Sequence, residues 1–138
     1  MRYLVPVLVG LAVSSCAAPP PAETAAIAAR QQAKLAALTA GKVAGAPTNC
    51  LPAYRQNDMV IIDDNTIAFR EGRRRVYVNH LNGGCNNLGY GHYALVTHPL
   101  KSQLCRGDIA QVVDLTNHIT VGSCVIGDFV PYTAVASR

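Results

Sequence analysis

The sequence predicts an all-β domain, a small disulfide-stapled β-barrel or sandwich, over residues 49–138. Short runs of β-branched and aromatic residues recur there between turn-forming residues, a pattern typical of small sandwiches and barrels. Four cysteines lie in the same segment, and an even number in a small exported chain indicates two disulfides. The segment is long enough for one small domain.

Seven strands are predicted from the local pattern. Three of them lie at residues 59–62, 66–70 and 74–80, with turns at residues 63–65 and 71–72 between them. A Gly/Asn-rich loop covers residues 81–91. The remaining four strands are predicted at residues 93–96, 109–113, 119–121 and 124–126.

Residues 1–15 have the features of a cleaved signal peptide. A positive start at Met1 and Arg2 precedes an apolar run over residues 3–13. A membrane-spanning helix needs about 20 apolar residues, so this run is too short to span but suits a signal peptide. Two small residues, Ser14 and Ser15, then precede Cys16 at a fitting distance for processing.

The residues Val13-Ser14-Ser15-Cys16 resemble a bacterial lipobox. The resemblance implies diacylation of the Cys16 thiol (the palmitate type of modification), cleavage before Cys16 and acylation of the new amine. More than one acyl chain gives stable anchoring, so Cys16 would hold the chain on a bilayer. Ala17, rather than Asp, favours the outer membrane facing the periplasm. The alternatives are an ordinary signal peptide or a retained apolar segment.

Residues 16–48 are predicted to be the lipidated cysteine and an Ala/Pro-rich tether. Good helix formers fill residues 23–39, but the large apolar residues Ile27, Leu35 and Leu38 make only a narrow stripe. A helix with so little to bury is marginal alone in water, which favours a spacer. The alternative is that Leu35 and Leu38 dock on a partner.

If Cys16 carries lipid, the other four cysteines are available for pairing. Three connectivities are open, and we favour Cys50–Cys124 with Cys85–Cys105. The first bond would join the two ends of the domain, and each would stabilise it by about 3–4.5 kcal/mol in the chain-entropy model.

Metal chemistry is the competing interpretation of these cysteines. Zinc ligands usually come in closely spaced pairs, and no such pair occurs here. Cys85, His92, His98 and Cys105 would form a zinc site only if the fold assembled them. We therefore predict no metal and no cofactor.

Arg70, Arg73, Arg74 and Arg75 concentrate positive charge around one predicted hairpin. They are candidate contacts for lipid headgroups, lipopolysaccharide phosphates or an acidic protein. The alternative is a solvated edge that resists aggregation. Residues 50–138 contain eight Lys/Arg and seven Asp/Glu, so their charges nearly balance. The net charge of +4 therefore does not indicate a nucleic-acid-binding surface.

No catalytic residue is predicted. Ser123 lacks the Gly-x-Ser-x-Gly context of a nucleophile elbow, and Asp114 and His118 have no indicated partner. Phosphate-binding and dinucleotide fingerprints are missing from the sequence. These observations favour a protein that is not an enzyme.

One combination of motifs is more specific than any single one. It comprises Cys50-Leu51, residues 62–67, residues 76–81, residues 85–88, residues 104–108 and residues 124–131. Together they resemble a family of small proteobacterial envelope proteins, often predicted lipoproteins, that is classed only as a domain of unknown function. The family has no assigned activity, so the resemblance implies no catalytic residue. It supports cysteine pairing without revealing connectivity, and the run of residues 73–75 lies outside its pattern.

The sequence thus predicts a membrane-anchored envelope lipoprotein that acts as a non-enzymatic binding or structural module. A second hypothesis is an inhibitor or accessory subunit that engages an envelope enzyme through residues 81–91. A third is an unrecognised envelope hydrolase. The expected partners are the bilayer, through Cys16, and an envelope protein, with no nucleic acid.

Overall fold

A computed structural model describes residues 21–52, 58–99 and 102–135. These residues form one α-helix, eight β-strands and a 3-10 helix. The elements are α1 (Pro21–Thr39), β1 (Lys42–Ala44), β2 (Met59–Ile61), β3 (Thr66–Glu71), β4 (Arg75–His80), the 3-10 helix (Leu88–Tyr90), β5 (Tyr93–Thr97), β6 (Ile109–Asp114), β7 (Ile119–Val125) and β8 (Phe129–Ala134). The predicted signal peptide and Cys16 lie outside the described residues.

The strands form two antiparallel sheets. The larger has the order β1-β8-β4-β3-β2 and the smaller has the order β5-β6-β7. The described strands close no barrel, so of the two predicted architectures the one with two separate sheets is present. The protein is mostly β, as predicted.

The main core lies between the two sheets. Ile67, Phe69 and Phe129 of the large sheet belong to one buried cluster with Leu95 and Val112 of the small sheet. The alternation of side chains along a strand puts one face of each sheet into this cluster. Burying each of these side chains contributes about 1.5–3 kcal/mol.

The other face of the large sheet is covered by α1. Ala68, Val76 and Val78 alternate with the residues of the main core, and Leu35 and Leu38 pack against them. The described residues therefore form three layers, a helix, a five-stranded sheet and a three-stranded sheet. The narrow apolar stripe seen in the sequence is enough to hold α1 in place because the sheet supplies the matching apolar surface.

This packing extends the folded unit beyond the predicted start at residue 49. Strand β1 pairs with β8, and Thr48 pairs with Phe129. Residues 21–48, which the sequence assigned to a tether, therefore lie against the domain. Leu35 and Leu38 dock on this chain's own sheet.

Most predicted strands are confirmed within one or two residues at their ends, and the two predicted after residue 118 are one strand, β7. Strands β1 and β8 were not predicted. Pro131 argues against a central strand because it has no N–H to donate. Its carbonyl nonetheless accepts a hydrogen bond from Gly45 (2.7 Å), beside the β1–β8 ladder.

Candidate functional site

The predicted arginine cluster lies at the end of the β3–β4 hairpin. Glu71 pairs with Arg75 in the ladder, and residues 72–74 form the turn. Gly72 has φ +63°, a left-handed conformation that glycine adopts without strain. The turn thus places Arg73 and Arg74 at the tip, where both are exposed.

Tertiary pairing adds a fifth cation that sequence reasoning missed. Lys42 pairs with Ala134 across the β1–β8 ladder, and the Ala134 N–H donates to the Arg74 carbonyl (2.7 Å). Lys42 therefore lies at the same end of the sheet as the hairpin. We call this surface, made of Lys42, Arg70, Arg73, Arg74 and Arg75, the basic end.

The basic end carries a large excess of positive charge. Arg75 forms an ion pair with Glu71 at 3.0 Å, and both side chains are nearly half exposed. A hydrogen bond with the Tyr77 hydroxyl raises the pKa of Arg75 above its ordinary value, and Glu71 makes a smaller contribution in the same direction. Arg75 therefore stays charged. Within the described residues, no ion pair involves Arg70, Arg73 or Arg74. Among the described residues, five cations therefore lie at this end of the sheet, with Glu71 on the hairpin and Asp58 in the adjoining cleft as the nearby carboxylates.

A cleft of about 290 Å³ opens beside the basic end. Arg70, Glu71, Asp58 and Tyr77 contribute to its lining, as does Phe69. The cleft combines two aromatic side chains with acidic and basic groups. It gives the basic end a mixed chemical character rather than a uniformly charged one.

The opposite end of β3 is acidic. Asp63 and Asp64 occupy the turn before the strand, which we call the acidic end. The six residues of β3 span about 20 Å, so the two charged ends are well separated. The arginine cluster and this pair of aspartates therefore lie at opposite ends of the large sheet.

Asp64 organises the loop over residues 81–91. Its carboxylate accepts hydrogen bonds from the N–H groups of Gly89 (2.8 Å) and Asn87 (3.3 Å). Its carbonyl accepts one from Cys85 (2.7 Å). The loop, with Tyr90 exposed near its end, is therefore held against the sheet.

The described part of the chain contains two disulfides, but the favoured connectivity was wrong. The observed bonds are Cys50–Cys105 and Cys85–Cys124. Cys50 and Cys105 face each other in an antiparallel bridge, flanked by main-chain hydrogen bonds. Cys124 lies beside Val125, which bridges to Asn82, three residues before Cys85. Which segments become neighbours is a property of the tertiary fold, so spacing could not select the pairs.

The other candidate groups have structural contacts. Cys85 and Cys105 belong to different disulfides, so they do not join His92 and His98 as zinc ligands. No cluster of three potential metal ligands occurs within the described ranges. The Asp114 carboxylate accepts hydrogen bonds from the N–H groups of Thr116 and Asn117 and thereby shapes a turn.

No family model, curated protein or solved structure matches the chain. Within the described part of the chain, no helix has the length and apolar character to cross a membrane.

Proposed function

We propose that this protein is a lipid-anchored binding module of the bacterial envelope that binds an anionic partner through its basic end. Acylation of Cys16, in the lipobox-like sequence, would supply the anchor, with the outer membrane facing the periplasm as the expected location. The observation that supports the binding role is the excess of exposed cations at one end of a rigid sheet.

The arrangement suits recognition of carboxylates or phosphates. Guanidinium groups donate paired hydrogen bonds to either anion. Arg75 is on a paired strand, and Arg73 and Arg74 belong to a short turn, so little backbone ordering remains to be done on binding. Concentrated charge of one sign also steers an oppositely charged partner towards the surface.

The anchor is tested by the intact mass of the mature protein, extracted from membranes and kept unreduced. The expected mass is that of a chain starting at Cys16 with three acyl groups and four hydrogens fewer than the reduced form. An unlipidated chain that retains residues 1–15 would refute the anchor.

The binding role is tested by recovery of partners from detergent-solubilised envelope. Arg74→Glu should abolish recovery of a stoichiometric partner because it reverses a charge at the tip of the basic end. Arg30→Glu makes the same change at an exposed position of α1 and should leave recovery intact. Equal recovery with both variants would return the arginines to a solvated surface role.

The inhibitor or accessory-subunit hypothesis is supported by a separate observation. Tyr90 is 54% exposed on a loop held by Asp64 and by the Cys85–Cys124 bond. A rigid loop with an exposed aromatic side chain can enter a partner's cleft at low entropic cost. Loss of the partner with Tyr90→Ala, but not with Arg74→Glu, would favour this role.

A further inference from the structure

The helix α1 has a defined direction on the large sheet. Near its start, Thr24 and Ile27 line a cavity of about 310 Å³ together with Asp63, Asp64 and Tyr90. A little further along, Gln31 Nε2 lies 2.9 Å from where a Cβ on Gly89 would be. The first half of α1 therefore lies at the acidic end.

The second half of α1 leads to the basic end. Lys34, still at the acidic end, donates a hydrogen bond from Nζ to the carbonyl of Ile61, and beyond it Leu35 and Leu38 pack on the sheet. Just past the helix, the Lys42 ammonium donates to the Leu38 carbonyl (2.8 Å) while Lys42 itself pairs with Ala134 in β8. At 1.5 Å per residue, the 19 residues of α1 span about 28 Å from Pro21 towards this end.

The covalent path from Cys16 to the folded unit is short. Pro21 follows Cys16 by five residues, and an extended chain spans at most about 3.6 Å per residue. Five residues of chain can bridge at most about 18 Å between an acylated Cys16 and the start of α1. A free tether of 32 residues, as the sequence suggested, would have left the orientation undefined.

We propose that α1 is a strut that turns the basic end away from the anchoring bilayer and presents it to an acidic surface of another protein. This inference rests on the proposed function, since it requires an acylated Cys16 and a binding role for the arginines. It deepens that function by naming the partner class and the side on which the partner lies.

The surroundings of the basic end favour a protein partner over lipid headgroups. Val43 and Val135 are 61% and 68% exposed, and both lie on or next to the strands that carry Lys42 and pair with Arg75. Exposed apolar side chains beside arginine are typical of protein interfaces, which have an apolar centre and are enriched in arginine.

The orientation is tested by energy transfer from tryptophan to a dansyl-labelled lipid headgroup, because the chain contains no tryptophan of its own. Tyr90→Trp places a donor at the acidic end, and Val135→Trp places one at the basic end while keeping all five cations. Both acylated variants are reconstituted in vesicles of phosphatidylcholine and, separately, of phosphatidylglycerol.

We expect transfer from the Tyr90→Trp variant to be several-fold higher than from the Val135→Trp variant in both lipids. Equal transfer from the two variants, in both lipids, would overturn the role of α1 as a strut. High transfer from the Val135→Trp variant in phosphatidylglycerol alone would assign the basic end to anionic headgroups and overturn the protein partner. A chain without acyl groups, seen by mass, would instead refute the anchor.

The protein partner is tested with Val43→Ser, which removes an exposed apolar side chain and leaves every charge in place. Recovery of the partner from solubilised envelope should fall with this variant. Val121→Ser, at an exposed position of the small sheet, is the matched control and should leave recovery unchanged. A partner that is sensitive to Arg74→Glu but not to Val43→Ser would refute an interface with an apolar centre.

Discussion

Replacing Asn79 with leucine should destabilise this protein more than any surface change. Asn79 lies in β4 with no exposed area. Its Nδ2 donates to the carbonyls of Gly127 (2.8 Å) and Asp128 (3.1 Å), and its Oδ1 accepts from the Gly127 N–H (3.1 Å). The side chain thus satisfies three main-chain groups in the connection between β7 and β8.

The expected loss in the free energy of unfolding follows from the main-chain groups that lose their hydrogen-bond partner. Leucine has a similar size, so Asn79→Leu opens little cavity but leaves the N–H and C=O of Gly127 buried without partners. Each buried unsatisfied group costs about 1–3 kcal/mol, which gives about 4 kcal/mol when the partly buried Asp128 carbonyl is included. Since whole domains are stable by about 5–15 kcal/mol, such a loss would leave the fold marginal.

The assay is equilibrium unfolding in urea with the disulfides intact. With a slope of about 2 kcal/mol per molar urea, the midpoint should fall by about 2 M. Asn86→Leu makes the same chemical change at an exposed position and should stay within about 0.5 kcal/mol of the wild type. A loss below about 1 kcal/mol for Asn79→Leu, at an unchanged slope, would refute this account of the buried hydrogen bonds.

Three other measurements test the packing, the disulfides and the electrostatics. Gly127→Ala should cost about 2–3 kcal/mol in urea unfolding, because a Cβ there would lie 2.1 Å from the His80 carbonyl oxygen, whereas Gly122→Ala meets nothing within 4 Å and should change little. Non-reducing peptide mapping should recover the two observed disulfides. Mild reductant should open Cys50–Cys105 first, because Cys50 and Cys105 are half-buried whereas Cys85 and Cys124 are buried. Simultaneous opening of both disulfides would contradict this order. The Thr116 N–H lowers the pKa of Asp114 below its ordinary value, so the stability that Asp114 adds over Asp114→Asn should be complete above its unfolded pKa of about 3.9 and disappear as the pH falls through the lower folded pKa. If the thermal unfolding midpoints of the wild type and Asp114→Asn moved further apart as the pH fell, this prediction would be wrong.

The local features of this protein could be predicted from its sequence. Alternation located β3 and β4, and the good helix formers indicated the helix α1, although its narrow apolar stripe favoured a spacer. The even number of cysteines indicated two disulfides, and the arginine cluster was assigned to the correct hairpin. Each of these features depends on residues close together in the chain, so a short window contains the whole signal.

Only the tertiary structure decided which distant segments meet. It paired Cys50 with Cys105 and Cys85 with Cys124, brought Lys42 to the basic end, and placed Asn79 against Gly127, 48 residues away. It also docked α1 on the large sheet, which turned a predicted spacer into a part of the domain with a fixed direction. Such contacts depend on the order of strands in the sheets and on which faces are left to be covered. Those quantities are set by the free energy of the whole packed chain, and residue spacing alone does not encode them.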